Sequence, residues 1–115
     1  REGYRVVPSV ESVQEAERHS PSIPATHLKP TIVNAPGKRS YPIAGFTYLL
    51  VYQDLTEMEP KKASALVDYL KWILTKGQSE AHKLHNTPLP NLLRDQVLCQ
   101  VATIKMPNSA APASE

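Results

Sequence analysis

Two histidines, His82 and His85, stand three residues apart. On a helix that interval sets two imidazoles on one face, the first requirement for sharing a metal ion. A zinc-type site needs further ligands, Cys or carboxylate, at matching spacing. Glu80 is near but falls elsewhere on the same helix, so a solvated histidine pair is expected. His19 and His27 lie in loose sequence with no partner nearby. No Ser sits in a Gly-x-Ser-x-Gly frame, so a nucleophilic triad is not expected. Ala35-Pro36-Gly37-Lys38-Arg39-Ser40 holds a Gly-Lys pair but lacks the first Gly and the preceding strand of a phosphate loop. Lys38, Arg39 and Ser40 together could hold an anion, although exposed turn cations are the expectation. Trp72 lies off the main apolar stripe of its segment, and core packing is expected before a ligand platform. Cys99 is alone, so no disulfide forms within the chain. Val97, Leu98 and Val101 around it predict a buried, inert thiol. These residues assign no catalytic, ligand-binding or metal-binding role and no cofactor.

The composition sets the frame that must position such groups. The chain has 115 residues, 41% of them hydrophobic and 21% charged, enough for one small domain. A net charge of +2, with acids and bases interleaved, gives no field to draw nucleic acid. No run of about 18 apolar residues predicts a membrane span. The chain opens on Arg1 without Met and without a charged-then-apolar leader. A piece of something longer is expected. Eleven prolines lie mostly outside the two best helical segments and imply long connections.

The most apolar run is residues 46–52, Phe46-Thr47-Tyr48-Leu49-Leu50-Val51-Tyr52. Aromatic and β-branched residues without alternation predict a central strand buried on both faces. Pro42 suits its start, and Gly45 allows a bend. Upstream, residues 1–7 predict a short edge strand. Ser9 or Ser12 would cap a helix from about 10 to 19. Residues 20–39 are the loosest part, with a brief strand at Thr31-Ile32-Val33 and a turn at Asn34-Ala35-Pro36-Gly37. Downstream, Ala63, Leu66, Val67, Leu70, Ile73 and Leu74 recur at helical spacing and predict an amphipathic helix over about 60–76. Thr56 with Glu59, or Glu59 with Pro60, would start it. Lys76 and a left-handed Gly77 would end it. Residues 78–84 extend the helical pattern. Asn91 would cap a last helix over about 91–103, and residues 106–115 predict a disordered or extended tail.

Several blocks together resemble a known family. Tyr41-Pro42-Ile43, Phe46-Thr47-Tyr48-Leu49-Leu50-Val51, Lys62-Ala63, Ala65-Leu66-Val67-Asp68-Tyr69-Leu70-Lys71-Trp72, Thr75-Lys76-Gly77-Gln78 and Pro88-Leu89-Pro90 occur in this order. Over roughly residues 7–104 they look like the C-terminal third of the phosphate-binding proteins of phosphate ABC transporters. The resemblance implies an α/β, partial periplasmic-binding-protein-like fold of type II. One buried central strand would be covered by two to three helices, after a Pro-rich irregular N-terminal part. Residues 1–40 would end the second lobe and path between lobes, and residues 41–105 would complete the first lobe. The family holds phosphate by hydroxyls, helix-start N–H groups, an Arg and an Asp. Its Arg with a following Ser-Gly-Thr lies upstream, so no binding residue carries over to this chain. His85-Asn86 departs from the family, where Gly or Asp precedes an aromatic ring.

The implied role is a solute-binding segment of a phosphate uptake system, not an enzyme, in a periplasmic or extracytoplasmic space. Its partners would be the missing N-terminal receptor portion and the transporter's membrane subunits. Phosphate would bind only with that portion, and nucleic acid is not expected. The alternative is a repurposed, ligand-free structural or accessory subunit of a larger assembly, membrane or organellar, in an organellar lumen. There a partner protein would cover the open sheet and helix faces.

Overall fold

The computed structural model describes residues 3–19 and 31–108. Ser9 opens the first helix, α1 (Val10–Arg18), because its hydroxyl and that of Ser12 each accept the other's backbone N–H, at 3.1 and 2.9 Å. This reciprocal pair satisfies two donors that a helix start otherwise leaves bare. The Ser12 carbonyl accepts the Tyr41 N–H at 2.9 Å, which ties the helix to the loop that follows it in the described chain.

That loop turns at Asn34 and Gly37, both at positive φ, 53° and 116°. Asn tolerates this region and Gly favours it. The Asn34 N–H donates to the Pro42 carbonyl at 2.8 Å, and the Ser40 hydroxyl donates to the Pro36 carbonyl at 2.7 Å. Ile32 is buried beneath the loop, but Thr31-Ile32-Val33 forms no strand. Residues 3–7 form none either.

Helix α2 (Pro60–Leu74) begins with Pro at its first position, where a missing N–H costs nothing. Ala63, Val67, Leu70 and Leu74 make its buried stripe. Its end differs from the sequence expectation. Gly77 is right-handed, at φ −63°, and its N–H returns to the Trp72 carbonyl at 2.8 Å. Gly suits the position by space rather than handedness, since a Cβ would stand 3.0 Å from Ile73 Cα, a tight approach to backbone. A short α3 (Gln78–Ala81) and a 3-10 turn (His82–Leu84) follow. The last helix, α4 (Asn91–Ala102), starts after Pro90, and Asn91 supplies no side-chain cap. Helices α2 and α4 pack together, and Leu55, Ala63, Val67, Leu70, Leu74 and Val101 form the core there.

The expected buried central strand is absent, and with it the α/β class. The described residues are 45% helical and 2% strand, with no sheet. The only ladder contact among them is a parallel bridge between Asp54 and Lys105. In it the Leu55 N–H donates to the Lys105 carbonyl and the Lys105 N–H to the Gln53 carbonyl, at 2.9 and 2.8 Å. Residues 46–52 form no strand, and Leu50 is 95% exposed, Tyr52 81%. The physical reason is that a strand is made by its neighbours' hydrogen bonds. Aromatic and β-branched composition only fits a residue run to such a place.

Candidate functional site

The helices and the segment beside them together shape a concavity of the described chain. It is a groove of about 390 Å³ between α2, α4 and residues 46–53. Leu70 and Leu74 come from α2 and Val97 and Val101 from α4, while Tyr48 and Leu49 form the opposite edge. Phe46 and Tyr48 meet edge to face there, with ring centroids 6.5 Å apart. The lining carries no charged side chain, so it suits an apolar occupant rather than an anion.

Gln78 holds one rim of this region. Its side-chain amide donates to the Ile73 carbonyl at 2.8 Å, and its carbonyl oxygen accepts the Leu89 N–H at 2.7 Å. The Gln78 amide thereby joins the end of α2 to the Pro88-Leu89-Pro90 passage into α4. The sequence offered both motifs but not their contact, because they lie eleven residues apart.

A smaller hollow of about 100 Å³ is lined by the loop over residues 34–42 with Tyr4 and Val6. The anion candidates Lys38, Arg39 and Ser40 meet here only in part. Lys38 Nζ sits 5.2 Å above the Tyr4 ring, a cation–π placement. Arg39 is exposed. Ser40 is buried, and its hydroxyl is engaged by Pro36.

The remaining candidates are scattered. His82 and His85 are exposed, and no cluster of three metal-type side chains exists among the described residues. His85 closes the 3-10 turn in the left-handed region, φ 57°. His19 Nδ1 lies 2.8 Å from the Glu15 carbonyl, and His27 falls outside the described residues. Cys99 is exposed, contrary to the buried thiol expected, because α4 turns it away from the α2 contact. Trp72 is 46% exposed and stacks on Tyr69, centroids 6.2 Å apart, rather than entering the core. No described helix is long and apolar enough to cross a membrane.

Three carboxylates have displaced acidities; a backbone N–H and then the Ser9 hydroxyl hold Glu11 below the usual carboxylate range. The Thr56 hydroxyl and N–H, then Lys105 Nζ at 3.4 Å, hold Asp54 below the usual carboxylate range. Glu17 is the residue that sequence reasoning missed. Burial pushes its carboxyl up to about 7, and its Oε2 has no hydrogen-bond partner among the described residues. Nothing in a nine-residue helix with few apolar positions signalled it. A raised folded-state value means the folded chain holds this proton more tightly than the unfolded one. The associated stability is complete below the ordinary value of 4.5 and is lost as pH rises through about 7. Glu17→Gln is therefore expected to match the parent near about pH 4 and exceed it by about 1 kcal/mol near about pH 8, after solvent screening. Urea denaturation at the two pH values checks this.

Comparison with known proteins gives the class. The chain is 32% identical over 95 residues, 83% of its length, to the phosphate-binding protein PstS of two Xylella fastidiosa strains. It is 43% identical over 53 residues, 44% of its length, to the phosphate-binding protein PstS of Methanocaldococcus jannaschii. Over the matched stretches the chain is similar to these phosphate-binding proteins. It spans about a quarter, 26%, of the Xylella proteins and 14% of the Methanocaldococcus one. No family model matches, and no solved structure matches.

Proposed function

We propose that this chain is part of an extracytoplasmic phosphate receptor serving an ABC-type phosphate uptake system. The observation that carries the reading is the 95-residue similarity to proteins named phosphate-binding protein PstS. The protein is a binder rather than an enzyme, and its partners are the transporter's membrane subunits. Residues 1–40 belong to the second lobe and the path between lobes, residues 41–105 complete the first, and 106–115 form a tail. The relatives' names give no support to a ligand-free accessory subunit or an organellar lumen.

The phosphate grip lies outside these 115 residues. An Arg followed by Ser-Gly-Thr is lacking here, Ser40 is committed to Pro36, and Lys38 to Tyr4. The chain alone is therefore expected to give no micromolar binding heat when titrated with inorganic phosphate. Micromolar binding by the isolated chain would place the grip within it. The receptor reading itself is tested by a chimera in which this chain replaces the matched 95-residue stretch of a Xylella PstS protein. A folded chimera is expected to bind inorganic phosphate by calorimetry. A folded chimera without binding overturns the reading.

A further inference from the structure

We infer that the outer face of α2 is a docking surface for an anionic lipid bilayer, on which the helix lies flat. Ala63, Val67, Leu70 and Leu74 fill the buried stripe of this helix. Lys61, Ala65, Tyr69 and Trp72 are exposed, and steps of four, four and three set them along one strip away from that stripe. Lys76 stands exposed just past the end of the helix. The strip is separate from both hollows, since neither is lined by Tyr69 or Trp72. The two rings are nearly parallel, 13° apart, and stand 56% and 46% exposed.

Charge, ring chemistry and shape together name the partner. Of the chain's 13 basic and 11 acidic residues, four lysines and one acid, Asp68, lie over residues 60–76, and the remainder nearly cancels. The positive surplus is thus gathered on this helix, where it complements an anionic surface. Lys61, Lys71 and Lys76 form no ion pair among the described residues, while Lys62 meets Glu59 at 3.3 Å in solvent. Tyr and Trp have apolar rings with a polar tip, which suits the boundary between water and acyl chains. The face is also a convex helix side about 22 Å long, with no hollow to receive an inserted peptide. A small anion needs converging donors, whereas these lysines are spread along the helix. No described helix can cross a membrane, so the contact is interfacial.

Trp72 is the chain's only tryptophan, so its emission reports on this face alone. Vesicles of phosphatidylcholine with about 30% phosphatidylglycerol, at low salt, are expected to shift that emission to the blue and to carry the chain down on sedimentation. Phosphatidylcholine alone, or the anionic vesicles in about 0.5 M salt, should do neither, because screening removes the attraction. Lys61→Gln combined with Lys76→Gln is expected to weaken partitioning about 30-fold. Circular dichroism should not change, since both side chains are exposed. Leu50→Glu, on the apolar border of the groove, is expected to bind vesicles as the parent does, which separates this face from general stickiness. Equal partitioning into neutral vesicles, undiminished binding by the double lysine variant, or sedimentation without an emission shift overturns the inference. So does loss of binding in Leu50→Glu, which would move the contact to the groove. Polyglutamate that shifts the Trp72 emission more tightly than the vesicles would make an acidic polypeptide the partner and overturn it as well. The chimera with the Xylella PstS protein is expected to sediment with the anionic vesicles through the same lysines. A folded chimera that ignores them would show the face covered in a receptor, and the inference falls. No phosphate titration enters any arm, so failure here leaves the receptor reading to its own test.

Discussion

Leu55→Ala is expected to lower the unfolding free energy by about 2–5 kcal/mol. Leu55 is among the largest fully buried side chains and sits in the cluster shared by α2 and α4. Its backbone is fixed independently, because its N–H donates to the Lys105 carbonyl and its carbonyl accepts the Met58 N–H, both at 2.9 Å. Truncation therefore leaves those bonds in place, and the chain cannot readily close on the cavity. Poor collapse puts a core truncation toward the upper part of the range. Small domains hold only about 5–15 kcal/mol in total. The expected result is a large fall in urea midpoint, followed by far-ultraviolet circular dichroism, with helical signal lost early. A loss under about 1 kcal/mol would show that the core is centred elsewhere.

Val101→Asp is expected to cost still more, above about 4 kcal/mol at neutral pH. Val101 is the buried residue of α4 and faces the apolar cluster of α2. A carboxylate there has no cation within the core to pair with, and an unpaired buried charge is among the costliest single changes. The introduced acid would be held above its ordinary value by desolvation. Its penalty is then least in acid and grows as pH rises, so the variant should regain stability toward about pH 4. Leu92→Asp on the same helix, at an exposed position, should stay within about 0.5 kcal/mol of the parent. Chemical denaturation of the pair at two pH values separates burial from helix propensity.

The same contrast between exposed and buried positions governs what was legible beforehand. Helical spacing was plain at Ala63, Val67, Leu70 and Leu74, because a helix satisfies its own backbone and its apolar stripe is written locally. The cap at Ser9 was readable for the same reason, since both partners lie within three residues. Residues 46–52 were misread. Their composition is that of a covered strand, yet a sheet needs ladder bonds from other segments, and no sheet forms among the described residues. Trp72 and Cys99 failed similarly: their residue types favour interiors, but helix rotation against α4 and α2 left both in solvent. The likeness to phosphate receptors was legible from ordered blocks such as Leu66-Val67-Asp68-Tyr69-Leu70-Lys71-Trp72.

By itself, then, the sequence determined the helices, the start signals of α1 and α2, the family likeness and the lack of the family's anion-gripping motif. Those are properties of neighbours along the chain. Only the tertiary structure decided that the most apolar run borders a groove with Leu50 and Tyr52 in solvent. It alone showed Gln78 fastening α2 to the Pro88-Leu89-Pro90 passage and Glu17 holding its proton toward neutrality. Each of these depends on which distant atoms arrive at a given place, and burial, pairing and acidity are all set by that arrival rather than by residue type.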